Sequence, residues 1–138
     1  MLYRVIGVMS GSSLDGLDIV FVEFEETARK WSYEIKAATC EPYSAHWYQQ
    51  LRDATSISTS DYFSLHSSYG HYIGEQVNAF ITEFNLHHQV QLISSHGHTT
   101  FHAPAKGISA QLGNGAAIAA ITEINVVTDL RAMDVAFG

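Results

Sequence analysis

Three apolar stretches near the start of the chain have the composition of β-strands. They cover residues 2–9 (LYRVIGVM), 17–25 (LDIVFVEFE) and 31–40 (WSYEIKAATC). β-Branched and aromatic residues are frequent in them, and apolar and polar side chains alternate in the third and toward the end of the second. Because the connections are short, consecutive strands are expected to pair. The pattern predicts a three-stranded meander.

Two helical patterns follow Pro42, which ends the strand pattern. A short helix, HWYQQLRDA, is predicted from residue 44 or 45 onward, with Ser44 as its N-cap. A longer helix is predicted from Ser60, because apolar and aromatic residues recur at spacings of three and four. Its core-facing residues are expected to be Phe63, His66, Tyr69, Ile73, Val77, Phe80, Ile81 and Phe84.

Two glycines interrupt the core-facing side of this longer helix. Gly70 and Gly74 each weaken a helix by about 1 kcal/mol relative to alanine. We therefore expect both to pack closely against a neighbouring element.

The second half of the chain combines short strands with one further helix. Strands are predicted at residues 90–94 (VQLIS), 108–112 (ISAQL) and 126–130 (VVTDL), and a helix at residues 116–124 (AAIAAITEI), capped by Asn114. No helix is expected in the closing MDVAFG, an ending that suggests a domain boundary. A meander followed by alternating helices and strands predicts an α/β domain with one mixed sheet and packed helices.

Composition narrows the classes of function. The 138 residues, 46% hydrophobic and 15% charged, suit one globular domain over residues 1–138. A net charge of -7 with only seven Lys and Arg disfavours nucleic acid as a partner, although a nucleotide can be held by backbone N–H groups and a metal ion. A lone cysteine fits a reducing compartment. No apolar run approaches the roughly 20 residues that span a bilayer, so we expect a cytoplasmic protein without membrane contact.

The segment between the first two predicted strands, SGSSLDGLD, is small, hydroxyl-rich and acidic. Gly11 and Gly16 permit backbone torsions that turn successive N–H groups toward one point, which makes an anion-binding nest. Asp15 and Asp18 can hold a magnesium ion that a phosphate shares. An ordinary hairpin loop, in which Asp and Gly serve the turn, explains the same residues. The lysine-containing P-loop pattern is absent.

A second polar segment, SSHGHTTFHAP, places three imidazoles within seven residues. In an extended segment His96, His98 and His102 would project to one side and could ligate zinc. Its glycine and proline indicate instead a bent loop, in which that geometry fails. Contacts to a polar ligand and structural hydrogen bonds are the alternatives.

Polar residues also follow the last predicted strand. Asp129 lies at its end beside Arg131, where open α/β sheets place their ligands. Asp129 could accept a proton from a hydroxyl, and Arg131 suits a carboxylate or a phosphate. A structural Asp–Arg pair explains the two residues equally well. Gln111 and Asn114 are either ligand contacts at a helix start or, for Asn114, a cap.

Four segments, in their order along the chain, resemble the N-terminal half of the anhydro-N-acetylmuramic acid kinases. They are GVMSGSSLDGLD, SSHGHTTFHAP, AQLGNGAAIA and VVTDLRAMDVAFG. The resemblance implies the actin and sugar-kinase architecture, with two ribonuclease-H-like lobes that close on ATP and magnesium; this chain would be the first lobe. The implied reaction phosphorylates the 6-oxygen of 1,6-anhydro-N-acetylmuramic acid while water opens the anhydro bridge. The product is N-acetylmuramic acid 6-phosphate, formed in peptidoglycan recycling.

The resemblance also implies which residues form the site. ATP would be bound by Gly11, Ser12, Ser13, Leu14, Asp15, Gly16, Leu17 and Asp18. The sugar would be bound by His96, Gly97, His102, Gln111, Asn114 and Arg131, with Asp129 as the candidate catalytic residue. His98 stands where the family pattern has glutamine, which changes one expected sugar contact. In this family the aspartate that activates water and the adenosine pocket lie in the second lobe, so the isolated lobe is expected to be inactive.

A free-standing binding domain is the alternative to a kinase lobe. In that case the His96, His98 and His102 loop would hold a metal or a small ligand. The sequence leaves open whether the domain pairs as a homodimer.

Overall fold

One six-stranded mixed sheet organises the computed structural model, which describes residues 1–138. The strands are β1 (Leu2–Ser10), β2 (Gly16–Thr27), β3 (Lys30–Pro42), β4 (Leu92–Ala103), β5 (Ile108–Leu112) and β6 (Val126–Val127). The helices are α1 (Ala45–Arg52), α2 (Thr59–Glu83), α3 (Gly115–Thr122) and α4 (Leu130–Phe137). The predicted α/β class with a mixed sheet is therefore confirmed. None of these helices is both long enough and apolar enough to cross a membrane.

The first three strands form the predicted meander. The strand order is β3-β2-β1-β4-β5, with antiparallel pairing within the meander and a parallel pairing of β1 with β4. The short strand β6 also runs parallel to β4. Because β1, β4 and β6 share one direction, the end of β1 and the end of β6 lie at the same edge of the sheet.

The core lies between one face of this sheet and the helices α2 and α3. Cross-strand register places Ile6 opposite Phe21 and Ile93, so these three side chains share the covered face. The side chains with no exposed surface are Ile6, Leu17, Ile19, Tyr69, Ile73, Val77, Ile93, Leu112 and Ile118. The middle of the predicted α2 face is thus confirmed, while Phe63 is 64% and Phe84 36% exposed. Both lie near the ends of α2. Because α2 has 25 residues and α3 only eight, at 1.5 Å per residue α3 cannot cover the ends of α2.

The two glycines of α2 mark its contact with α3. A Cβ atom on Gly70 would lie 2.6 Å from the carbonyl oxygen of Asn114, and one on Gly74 would lie 2.8 Å from the Cβ of Ile121. Close packing at these positions is therefore confirmed. The predicted caps are confirmed as well: the Ser44 hydroxyl accepts a hydrogen bond from the Trp47 N–H at 3.3 Å, and Asn114 caps α3.

The histidine-rich segment is a strand, and the prediction of a bent loop after residue 94 is wrong. β4 continues to Ala103 because β5 returns antiparallel beside it and supplies hydrogen-bond partners for its backbone. Gly97, with φ of +70°, and a register shift between Thr99 and Phe101 accommodate the irregularity that glycine suggested. The polar composition indicates a loop, but these residues form a strand whose polar side chains line a cleft.

The end of the chain also differs from the prediction. The strand expected over residues 126–130 is limited to Val126–Val127, and the helix α4 covers the residues where no helix is expected from the sequence. Val126 and Val127 face β4, whereas the following residues have no strand neighbour to pair with. Leu130, Met133 and Phe137 recur at helical spacing, and the strand pattern conceals this period.

Candidate functional site

A cleft of about 290 Å³ opens at the edge of the sheet where β1 and β6 end. Its lining residues come from three parts of the chain: Met9, Ser10, Gly11, Ser12, His96, His98, Thr99, His102 and Arg131. Five of the predicted site residues, Gly11, Ser12, His96, His102 and Arg131, therefore face one cleft. A second cavity of about 280 Å³ adjoins it and shares Ser12, His98 and Thr99.

The largest cavity lies elsewhere in the molecule. It has a volume of about 490 Å³ and is lined by residues from the end of α2, the loop before β4 and the end of α3. None of the predicted site residues lines it. The smaller cleft is the stronger candidate, because the polar segments of the sequence converge there at the ends of parallel strands.

The tip of the first hairpin is a tight turn beside this cleft. The N–H of Leu14 donates to the carbonyl oxygen of Gly11 at 3.2 Å, and Leu14 adopts a φ of +57°. Residues other than glycine rarely adopt this left-handed backbone conformation, which costs about 1–3 kcal/mol and is concentrated at functional sites. Ser12, Ser13 and Asp15 are exposed. The turn therefore presents hydroxyl groups and one carboxylate to solvent at the cleft.

The last three predicted nucleotide-binding residues belong to β2. A Cβ atom on Gly16 would lie 2.5 Å from the carbonyl oxygen of Glu41, so the close approach of β3 accounts for this glycine. Leu17 is buried in the core. Asp18 is exposed, and its hydrogen bond with the Cys40 thiol raises the pKa of that thiol. Each of these residues has a place in the packing of the hairpin, and their contact with a nucleotide stays a prediction.

A connected set of polar side chains lies behind the tip, and we call it the Ser10 chain: Ser10, Tyr43, Tyr69 and His98. The Ser10 hydroxyl is 3.0 Å from His98 Nδ1, the Tyr43 hydroxyl donates to Ser10 at 2.8 Å, and the two tyrosine hydroxyls are 2.6 Å apart. Burial lowers the pKa of His98 and raises the pKa values of both tyrosines. The imidazole and both phenols are therefore neutral near pH 7.

The three histidines of β4 do not form a zinc site. The Nδ1 atom of His96 is 3.1 Å from the Gly97 carbonyl oxygen, that of His98 contacts Ser10, and that of His102 is 3.3 Å from the Ser109 hydroxyl. No group of three or more His, Cys, Asp or Glu side chains is arranged to hold a metal ion. The histidine-metal alternative is therefore not favoured.

Arg131 and Asp129 are separated in the structure. The Arg131 Nε–H donates to His96 Nε2 at 3.4 Å, across the floor of the cleft, and no ion pair joins Arg131 to Asp129. The alternative of a structural Asp–Arg pair is therefore wrong. Asp129 precedes α4 with φ of +57°, is exposed, and accepts a weak hydrogen bond from the Thr128 hydroxyl at 3.4 Å.

Burial lowers the pKa of His66 on α2, and the negative charge of Asp129 opposes that shift. The same imidazole accepts a hydrogen bond from the Gly113 N–H at 3.1 Å and so fixes the backbone before α3. The periodic pattern of the sequence predicts only a core residue here.

Three of the predicted sugar-binding residues have structural partners. A Cβ atom on Gly97 would lie 2.3 Å from the carbonyl oxygen of Leu112, so β5 leaves room only for glycine. The amide Oδ1 of Asn114 accepts from two N–H groups in the first turn of α3, at 2.8 and 3.2 Å. Gln111 is buried, donates to the Ser109 hydroxyl at 2.8 Å, and leaves its Oε1 without a partner.

Tyr43 and Tyr69 are not among the site residues predicted from the sequence, and the structural hydrogen bonds predicted as one alternative for the histidine segment had no named partner for His98. No local pattern could find the set, because Ser10 and His98 are 88 positions apart and meet only through the parallel pairing of β1 with β4. A tyrosine directly after a strand-ending proline carries no indication of function.

The fold and the cleft define a mixed-sheet α/β domain with a polar cleft at the edge where its parallel strands end. Over residues 3–138 the sequence matches the family model described as anhydro-N-acetylmuramic acid kinase. The chain belongs to this family, and the resemblance found in the sequence is confirmed.

Curated relatives with the same name show how much of such a protein this chain represents. It is 35% identical to the anhydro-N-acetylmuramic acid kinase of Microcystis aeruginosa over 136 residues, which are 96% of this chain and 36% of the relative. It is 34% identical to that of Pseudomonas savastanoi pv. phaseolicola and 33% identical to that of Bacillus cereus. The chain spans 36% and 37% of the length of these two relatives.

Proposed function

We propose that this chain forms the first lobe of a two-lobe, ribonuclease-H-like kinase. The kinase transfers the terminal phosphate of ATP to the 6-oxygen of 1,6-anhydro-N-acetylmuramic acid while water opens the anhydro bridge. The product is N-acetylmuramic acid 6-phosphate, within peptidoglycan recycling. Family membership supports the proposal. The structural observation that supports it most is the convergence of the hairpin tip, the β4 histidines and Arg131 on one cleft.

The hairpin tip is assigned to the phosphates of ATP. Phosphoryl transfer requires mainly positioning and charge neutralisation, which backbone N–H groups and hydroxyls provide without a lysine. Gly11 and Ser12 line the cleft, and Ser13 and Asp15 are exposed next to them. The strained turn at Leu14 is consistent with a backbone shaped for a ligand.

Magnesium fits this hairpin only as an ion shared with the nucleotide. Asp15 and Asp18 are exposed carboxylates of the hairpin, and no three-residue ligand group exists. Such a donor set suits magnesium, which commonly uses one or two carboxylates together with phosphate oxygens and waters. Asp15 and Asp18 would hold the ion, which when bound would neutralise phosphate charge.

The sugar is assigned to the opposite wall of the cleft. Arg131 can bind the carboxylate of the muramic acid side chain with the guanidinium N–H groups that do not face His96. His96 and His102 line the same wall. The Nε2 of His102 can contact a sugar hydroxyl, whereas both ring nitrogens of His96 already have partners, so a sugar contact would replace one of them. Gly97, Gln111 and Asn114 do not line this cleft, and their contacts with the sugar stay predictions. Asp129, exposed after β6, is assigned a contact with the sugar, and the aspartate that activates water is assigned to the second lobe.

Phosphorylation by a chimera tests the proposal. In the chimera this chain replaces the matching third of the Microcystis aeruginosa relative. With ATP, magnesium and the anhydro sugar, we expect formation of the 6-phosphate, measured by mass spectrometry. Asp15→Ala and Arg131→Ala should each lower kcat/KM at least tenfold, about 1.4 kcal/mol of barrier.

His87→Ala, at an exposed position that lines the largest cavity and not the cleft, is the matched control and should leave the rate unchanged. Unchanged turnover in both Asp15→Ala and Arg131→Ala would reject the site assignment. A folded chimera that makes no phosphosugar would reject the proposed function.

A further inference from the structure

The hydrogens of the Ser10 chain can be placed from its geometry. Tyr43 donates its hydroxyl proton to Ser10, so the proton of Ser10 is available for the imidazole of His98. Tyr43 then accepts from Tyr69, whose hydroxyl lies 2.6 Å away. With the His98 tautomer that leaves Nδ1 unprotonated, each hydroxyl donates once along a directed series that ends on this nitrogen. This order requires a neutral His98 that carries its proton on Nε2.

The Ser10 chain fastens the hairpin tip at a point where the backbone ladder is irregular. Ser10 is the last residue of β1, directly before Gly11, and is 4% exposed. The pairing of β1 with β4 shifts register between Val8 and Ser10. Ser10 itself still pairs with His98 on β4 and with Leu17 on β2, so the side-chain hydrogen bonds reinforce the last strand pairs before the tip.

We propose that His98 is a positioning residue for the phosphate-binding turn: by accepting a hydrogen bond from Ser10, the imidazole holds residues 11–15 in the shape that binds the nucleotide. The role in nucleotide binding rests on the proposed function. We call the hydrogen bonds that join Ser10 to His98 and, through Tyr43, to Tyr69 the brace. The brace itself rests on the geometry of β1, β4 and the two tyrosines.

Protonation of His98 reverses the hydrogen bond at Ser10 and weakens this brace. A doubly protonated imidazole has no lone pair at Nδ1, so Nδ1–H can then only donate to the Ser10 oxygen, and the Ser10 proton is left without this acceptor. The charged groups around the ring offer no compensation, because one cavity is lined by His96, His102 and Arg131 and the other by Arg52, and neither contains a carboxylate. From the remaining side, Tyr43 and Tyr69 contribute only neutral hydroxyls, because burial raises their pKa values.

Two NMR measurements on the 138-residue chain test the brace without any nucleotide. A long-range 15N–1H spectrum of the imidazoles should show His98 with an unprotonated Nδ1 and a protonated Nε2. Amide exchange should give Leu14 a protection factor at pH 7.5 that falls at least fivefold in Tyr43→Phe and in His98→Ala. In the wild type the same factor should fall from pH 7.5 to a pH below the folded-state pKa of His98, which burial places under 6.5.

His98→Gln distinguishes positioning from mere packing. The amide oxygen of glutamine can accept from Ser10 and does not titrate, so this variant should keep the protection of Leu14 at both pH values. Tyr33→Phe, which removes the hydroxyl of a tyrosine 70% exposed on β3, is the matched control for Tyr43→Phe. If His98→Ala fails to fold, Tyr43→Phe retains the ring and still tests the brace.

The outcomes separate this proposal from the proposed function. Unchanged Leu14 protection in Tyr43→Phe, or a proton on His98 Nδ1 at pH 7.5, would overturn the brace. In the chimera, Tyr43→Phe should raise the Kd for ATP at least threefold at pH 7.5, and equal Kd values in wild type and variant would overturn the positioning role. If the chimera binds no ATP while Leu14 protection changes as expected, the brace stands and the nucleotide assignment fails.

Discussion

Gly97 lies at the tightest point between β4 and β5. Its φ of +70° is a backbone conformation that disfavours any side chain. An added Cβ would also clash with the Leu112 carbonyl oxygen, which would lie only 2.3 Å away. Gly107 has almost the same φ, +69°, but no atom lies within 4 Å of such a Cβ. The two glycines therefore separate the cost of the backbone conformation from the cost of the steric clash.

We expect Gly97→Ala to lower the free energy of unfolding by about 2 kcal/mol more than Gly107→Ala. Both variants carry the left-handed strain of about 1–2 kcal/mol, and only the first forces a Cβ against backbone. Urea unfolding at pH 7.5 measures both. Equal losses in the two variants would show that the approach of β5 does not restrict position 97.

Single residues in the sequence indicate where polar chemistry lies, but not what each residue contacts. Asn114 could be predicted as a cap because its position before a small-residue helix is a local feature. The partner of His98 could not be predicted, since the contact with Ser10 depends on strand register and not on neighbouring residues.

The helices α2 and α3 pack through glycine. At Gly70 the backbone of Asn114 approaches to within 2.6 Å of the position of a Cβ, so α3 begins almost in contact with the α2 backbone. The start of α3 also receives a hydrogen bond, because the Asn114 N–H donates to the His66 carbonyl oxygen at 3.0 Å. Together these contacts fix the turn that leads from β5 into α3.

Gly70→Ala should destabilise the protein although alanine favours a helix by about 1 kcal/mol. We expect a net loss of about 1–3 kcal/mol, because the added methyl group forces α3 away from α2. Thermal unfolding followed by circular dichroism is the measurement. The control Ser64→Ala, at an exposed position of α2, should leave stability equal or slightly higher. A gain in stability for Gly70→Ala would contradict the close packing.

Elements with a strong local period could be predicted, and those defined by their partners could not. The meander, α2 and α3 have clear periods that the sequence alone reveals. β4 has a polar sequence and is a strand because β5 pairs with it. β6 is limited to Val126 and Val127 because only these two residues pair with β4.

At the level of the entire molecule, one buried imidazole, His98, and one half-buried imidazole, His66, make stability depend on pH. Burial lowers the pKa values of His98 and His66 below their ordinary value of 6.5. The unfolded chain therefore binds more protons than the folded chain once the pH falls to about 6.5. Stability contributed by the neutral rings is present above this value and is lost as the pH decreases toward the folded-state pKa values.

We accordingly expect the free energy of unfolding, from urea denaturation, to decrease between pH 7.5 and 5.5. His98→Gln and His66→Gln should each reduce this slope, whereas His87→Gln, at an exposed position, should not. The lowered pKa values of the Glu23 and Asp53 carboxyls, caused mainly by hydrogen bonds from Arg4 and Arg52, act near pH 4 and below and do not affect this window. A slope that is the same in all four proteins would contradict the assignment.

The fold class and the family could both be predicted, because a meander followed by helices and strands indicates an α/β domain and four segments carry the family resemblance. Which of the resembling residues face the cleft depends on the complete fold. Arg131 reaches His96 because α4 begins three residues after β6 and packs against β5, the neighbour of β4.

Hydrogen–deuterium exchange of the chimera, with and without magnesium and a nonhydrolysable ATP analogue, tests most directly whether the hairpin tip binds the phosphates. We expect slower exchange in the peptide that contains residues 10–18, with the largest change at the exposed turn before β2. Unchanged exchange in that peptide while the nucleotide is bound elsewhere in the chimera would contradict this expectation.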